Sequence, residues 1–175
     1  MNLQLSAFSA ARRRARSFLE REWSLFAENL RDAFEEALVP RTYDGASIAV
    51  HVTRVQAHGA AKSCVINAVS LALMDAGIEL VEPLFSMTAG YLRAFGATPL
   101  LDLAPAEEAA AQGEATLALL LQSDRVVFAE TRGAKMNAGE FRALVEAVRA
   151  ACGQMRGRVE AFLRQHYRAQ ALLSA

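Results

Sequence analysis

Little in this sequence leans to an extreme, and each scarcity closes a route. Basic and acidic residues number nineteen each, so the chain has no formal net charge at neutral pH. An overall positive field that would gather nucleic acid is therefore excluded, and only a local basic patch could do so. There are two cysteines, Cys64 and Cys152, both inside apolar helical patterns. They read as buried, reduced thiols rather than a disulfide, which fits a reducing compartment. No apolar run approaches the roughly 20 residues of a membrane span. The N-terminus places its basic residues after its apolar ones, the reverse of a secretory signal, so the expected location is the cytosol or nucleus. His51, His58 and His166 lack metal-ligand spacing. Neither a cysteine–histidine–acid set nor a glycine-rich phosphate loop of the nucleotide-hydrolase or dinucleotide type is present.

Apolar residues are plentiful, 53% of the 175, which suits one globular domain with a sizeable core. Leu3, Leu5 and Ala7 alternate with polar neighbours and predict a short strand over 2–8 with one wet face. Leu19, Trp23, Phe26, Leu30, Ala33 and Ala37 recur at steps of three and four, a helical stripe over about 18–38 that Pro40 ends. Alternation of Ile48, Val50 and Val52 with Ala49, His51 and Thr53 predicts a strand over 46–57. Residues 61–76, carrying Cys64, Val65, Ala68, Leu71, Ala72 and Leu73, read as a buried helix closed by Gly77.

A strand over 83–92 follows. ATPLLDLAPAEEAAAQGE then reads as a short strand, a break at Pro105 and a brief acidic helix. ATLALLLQSDRVVFAET reads as two strands about a turn at Gln122 to Asp124. Phe141, Leu144, Val145, Val148, Cys152, Met155, Val159 and Phe162 hold helical spacing over about 138–172, with Gly153 and Gly157 as points where a helix can bend. Strands in a run with helices between and after them predict an α+β domain, a mixed sheet covered by helices. The opening strand has nothing before it, so the expectation is a sheet that either lacks its first strands or borrows an edge from a partner.

Three stretches could carry chemistry. In VQAHGAAKSCVINAVSLALMDAGI, residues 55–78, a strand-like run passes through a turn into a helix. A helix N-terminus offers free N–H groups to an anion. Gly59 would admit close approach, and Lys62 and Ser63 would add a cation and a hydroxyl. The same residues fit an ordinary strand–helix connection with a solvated lysine. Arg12, Arg13, Arg14 and Arg16 could grip a nucleic-acid backbone through bidentate phosphate contacts, or form a solvated basic stretch. In LLDLAPAEEAA, Asp102, Glu107 and Glu108 could serve as a general acid or hold a metal near a phosphate, or simply favour a helix start.

Together these pieces resemble the RNase PH family, and within it the RNase PH-like ring subunits of the exosome. LRDAFEEAL is similar to the helix before the family's central strand. VQAHGAAKSCVINAVSLALMDAGI resembles its stretch of strand, QADGG turn and helix ending in DAGI. LLDLAPAEEAA resembles its DL…VEEAA segment. LALLLQSDRVVFAE and the end through RQHYRAQALL resemble the ring subunit type that carries the active site in archaea.

The resemblance implies a fold of the ribosomal protein S5 domain 2 type with a long C-terminal helix. It also implies one domain over residues 1–175 that is N-terminally short for the family. RNase PH enzymes shorten RNA from the 3′ end: inorganic phosphate attacks the last phosphodiester and releases a nucleoside diphosphate. The family's phosphate-holding Gly-Thr-Arg or Gly-Ser-Arg falls here on Ala60, Ala61 and Lys62, or with a one-residue slip on Ala61, Lys62 and Ser63. Arginine's fork becomes lysine's point charge. The turn's aspartate becomes His58. The acidic pair falls on Asp102 and Glu108, and the RNA-binding arginines on residues 12–16.

The implied role is a core exosome ring subunit in 3′→5′ RNA processing and degradation, binding RNA and supporting structure around a degraded phosphate site. Its expected partners are other RNase PH-like subunits in a six-membered ring, S1/KH-type cap subunits and single-stranded RNA, with no membrane, in nucleus, nucleolus and cytoplasm. The alternative is an active phosphate-dependent 3′→5′ exoribonuclease. It would use inorganic phosphate as co-substrate and Mg2+ as the candidate ion, with no cofactor tightly bound. A free-standing homo-oligomer of the bacterial RNase PH type is a third option.

Overall fold

The computed structural model describes residues 2–5, 16–43, 45–56, 58–92, 96, 98–133 and 136–173. The elements run β1 (Asn2–Leu5), α1 (Arg16–Ala37), β2 (His51–Arg54), α2 (Ala61–Asp75), β3 (Leu84–Tyr91), β4 (Leu100–Leu101), α3 (Pro105–Ala110), β5 (Gly113–Leu120), β6 (Arg125–Arg132) and α4 (Ala138–Leu173). The α+β expectation holds. An antiparallel four-stranded sheet in the order β4-β3-β5-β6 is covered by helices, and β1 and β2 form a separate parallel pair. The opening strand is thus paired within the chain, in register from Asn2 with His51 to Leu5 with Arg54.

Hydrophobic stripes place the helices. On one side of the sheet, Trp23, Phe26, Leu30 and Phe34 of α1 and Val65, Ile66, Val69 and Leu73 of α2 meet Leu84, Ala118, Leu120 and Phe128. Each large side chain buried there contributes about 1.5–3 kcal/mol. On the other side, Leu144, Val148 and Cys152 of α4 pack on Phe85, Ala89, Tyr91, Leu117 and Leu119. This alternation of β5 residues between two covered faces explains why the whole strand is buried.

Polar side chains fix how the layers sit. Asn67 of α2 donates to the Ser86 carbonyl and accepts from the Ser86 N–H, both at 2.8 Å, and so pairs with β3 as a strand would. Buried Glu82 accepts from the N–H groups of Gln122, at 2.6 Å, and Ser123, and from the Ser123 hydroxyl. It anchors the turn between β5 and β6.

Several expectations need correction. Among the described residues the second strand is four residues, not 46–57, because only 51–54 find a partner in β1. Helix α2 is buried on one face only: Lys62, Ser63, Val65, Ile66, Val69, Ser70 and Leu73 point inward, while Ala68 and Ala72 face out. Cys64 is exposed, not buried, because the inward stripe passes through its neighbours Ser63 and Val65. Pro105 opens helix α3 rather than only breaking a strand, which suits a residue with no N–H to satisfy. Helix α4 runs unbroken through Gly153 and Gly157.

Candidate functional site

The turn before α2 is built from two left-handed residues, Gly59 at φ 88° and Ala60 at φ 44°. Glycine is required at 59 for a second reason. A Cβ there would stand 2.0 Å from the Leu103 carbonyl oxygen and 3.2 Å from the Ala104 Cα. The segment between β4 and α3 therefore lies directly against the turn, and two of the three stretches singled out by sequence form one site.

Glu108 completes that junction. Its Oε1 accepts the Ala60 N–H at 2.7 Å, so a carboxylate sits where the amides of a turn–helix junction would receive an anion. Glu107 acts locally instead. Its Oε2 accepts the Ala104 N–H at 2.8 Å and caps its own helix. Asp102 is exposed, in the left-handed region at φ 56°, and its N–H donates to the Thr88 carbonyl at 2.8 Å. Its charge reaches Cys64: although that residue is exposed, partial desolvation raises its thiol pKa first, and Asp102 second.

The side chains expected to hold phosphate are otherwise engaged. Lys62 is buried, its Nζ bound to Glu22 at 3.1 Å and to Glu130. Ser63 is buried and donates its hydroxyl to the Ala60 carbonyl at 2.8 Å. Ala61 is half-buried and brings no polar side-chain atom. His58 is exposed beside the turn. Of the basic cluster, Arg12, Arg13 and Arg14 lie outside the described residues, and Arg16 is the first residue of α1.

Around Lys62 stands a charge network that sequence reading did not find. Arg132 of β6 pairs with Glu114 at 3.2 Å and with Glu22 at 3.8 Å. Arg54 lies 4.8 Å from the Trp23 ring centroid and within the field of Glu22. Glu114 is buried and its Oε2 has no hydrogen-bond partner among the described residues. Burial pushes its pKa up; Arg132 and Lys62 oppose that, and Glu108 and Glu130 add to it. Among the described residues four carboxylates, Glu22, Glu108, Glu114 and Glu130, thus face three cations, Lys62, Arg132 and Arg54. A phosphate dianion entering here would meet charge of its own sign, at short range and partly out of water. Among the described residues no three Asp, Glu, His or Cys side chains are grouped to hold a metal ion.

One part of this network was readable. Glu114 and Arg132 lie symmetrically about the turn of the hairpin, as Thr116 and Glu130 do, and both pairs stand opposite in the register. The link from Lys62 to Glu22 spans 40 residues and carries no local signal.

Comparison with known proteins places the chain. Residues 1–79 match the family model described as the 3′ exoribonuclease family, domain 1. The human exosome complex component RRP41 is 29% identical over 175 residues, covering 99% of this chain and 70% of the relative. An Arabidopsis thaliana homologue of RRP41 is 34% identical over 122 residues, 70% of this chain and 49% of that protein. The crystal structure of rice (Oryza sativa) Rrp46 superposes with a TM-score of 0.71 at 20% identity, over 93% of this chain and 70% of that one. At that identity the likeness establishes the fold.

Proposed function

We propose that this chain, a member of the RNase PH family, serves as a core ring subunit of an RNA exosome with a structural and RNA-guiding role. Its neighbours are other RNase PH-like subunits in a six-membered ring with S1/KH-type caps above, and its substrate class is single-stranded RNA. It works in the nucleus and cytoplasm; no described helix is long and apolar enough to cross a membrane. The family's reaction is phosphorolysis at an RNA 3′ end. In this reading the subunit contributes shape and RNA contact, with Arg12, Arg13, Arg14 and Arg16 as the residues that bind the RNA backbone.

The observation that carries this reading is the closed turn. The Ala60 N–H is taken by Glu108 at 2.7 Å, Lys62 by Glu22 and Glu130, and the Ser63 hydroxyl by the Ala60 carbonyl at 2.8 Å. Phosphoryl transfer depends on positioning and on charge stabilisation. A site whose donors are satisfied internally, in a surplus of carboxylates, supplies neither to an attacking phosphate.

The second reading is an active phosphate-dependent exoribonuclease, in which Asp102 and Glu108 assist the leaving oxygen. It is favoured by Glu108 accepting the Ala60 N–H at the helix start and by Asp102 lying near enough for its charge to act on Cys64 in the first turn of the same helix. A phosphorolysis assay separates the two. Single-stranded RNA carrying a 5′ label is incubated with the protein and its co-purified partners, with and without phosphate. The structural reading predicts that any phosphate-dependent shortening survives Asp102→Ala in this subunit. Shortening that Asp102→Ala abolishes establishes the enzyme.

A further inference from the structure

We infer that the free half of helix α4 is a docking surface for single-stranded RNA, in addition to the arginine stretch proposed above. The inference rests on the RNA-guiding reading above. Helix α4 has 36 residues, about 54 Å at 1.5 Å per residue. The strand it crosses, β3, has eight, about 27 Å. Leu144, Val148 and Cys152 are covered by the sheet, with Met155 and Val159 at the margin. Beyond Val159 the same stripe continues into solvent: Phe162 is 63% exposed and Tyr167 41%.

What this overhang presents is specific. The Phe162 and His166 rings stack, with centroids 5.9 Å apart and planes at 14°, and His166 meets Tyr167 edge-on at 5.7 Å. Three rings in contact form a continuous π surface on the outside of the protein. Over residues 153–169 there are four arginines, Arg156, Arg158, Arg164 and Arg168, to one carboxylate, Glu160, in a chain whose totals balance. Glu160 is held by Arg156 at 2.6 Å and Arg164 at 3.6 Å, so the single negative group is already neutralised. Arg158 and Arg168 are exposed and enter no ion pair among the described residues.

Charge decides the occupant. A second copy of this chain would oppose one cationic face to another. An apolar protein groove would match the rings but strand the arginines. Single-stranded RNA matches both: its phosphates suit Arg158 and Arg168, and its unpaired bases stack on the rings. Duplex RNA keeps its bases stacked inside and offers only its phosphates.

The test is fluorescence anisotropy of a labelled single-stranded oligoribonucleotide with the full chain in its purified assembly. The variants are Phe162→Ala with Tyr167→Ala, Arg158→Gln with Arg168→Gln, and Arg12, Arg13 and Arg14→Gln. All the helix positions are exposed, so circular dichroism should be unchanged. Each helix variant is expected to bind about tenfold more weakly or worse. The Arg158/Arg168 pair should also flatten the slope of log affinity against log salt by about 1.4. Duplex RNA should compete poorly. Loss in the helix variants alone supports the surface and moves the RNA contact away from the arginine stretch. Unchanged affinity in the helix variants, with loss in the 12–14 variant, overturns the surface and leaves the RNA-guiding reading standing. Helix variants that shed a co-purifying protein while binding RNA normally also overturn it, in favour of a protein interface.

Discussion

Gly59 offers a quantitative check on how the turn and the acidic segment fit. An added Cβ meets two separate penalties. The backbone is left-handed, φ 88°, which costs an L-residue about 1–2 kcal/mol. The Cβ would also lie 2.0 Å from the Leu103 carbonyl oxygen, and overpacking against backbone costs about 1–3 kcal/mol more. Gly77 supplies the control. Its φ is 70° and nothing lies within 4 Å of its missing Cβ, so only the conformational cost applies, about 1–2 kcal/mol. Gly59→Ala should therefore destabilise by about 2–5 kcal/mol and exceed Gly77→Ala by about 1–3. Urea unfolding followed by the fluorescence of Trp23, the single tryptophan and a core residue, measures both. Equal losses would refute the close approach and with it the joining of the two segments into one site.

Other consequences follow from single groups. Glu114 has a raised pKa, chiefly from burial, so the folded chain holds that proton more tightly than the unfolded one. The stability this contributes is present in acid and lost as pH rises above the ordinary carboxylate range through the folded pKa. Glu114→Gln should match the parent near pH 4 and be the more stable at pH 7, shown by parallel urea titrations at the two pH values. The two thiols should separate cleanly. Cys152 is buried with its pKa pushed up to about 12 and should react with a thiol reagent only on unfolding, while exposed Cys64 reacts in the native state. Because Asp102 raises the Cys64 pKa, Asp102→Asn should accelerate that reaction at pH 8. Replacing Glu82 by Ala removes the acceptor for the Gln122 and Ser123 N–H groups, should cost about 1–2 kcal/mol, and should erase hydrogen-exchange protection at those amides.

The sequence was most legible where structure is local. The Trp23–Phe26–Leu30 stripe, the Gly77 stop, the Gln122–Asp124 turn and the long final helix all follow from spacing and turn chemistry, and each is in place. Misreadings came where burial is set by distant partners. Alanines 68 and 72 looked like core, yet face out because α2 is covered on one side only. Cys64 failed for the same reason. Residues 46–50 alternate like a strand but have no strand partner among the described residues. At the site, the turn and the acidic pair were visible as motifs. Their contact through Gly59 and Leu103, and the capture of Lys62 by Glu22 and Glu130, depend on residues 40 or more positions apart.

The protein's own side chains close the turn before α2. Calorimetric titration of the folded protein with inorganic phosphate, repeated on Glu108→Ala, tests it most directly. The parent chain should show no saturable binding at millimolar phosphate, and binding should become measurable once the Glu108 carboxylate no longer occupies the Ala60 N–H. Saturable binding to the parent that Lys62→Met abolishes would contradict it, since the turn would then be holding phosphate as an active member of the family does.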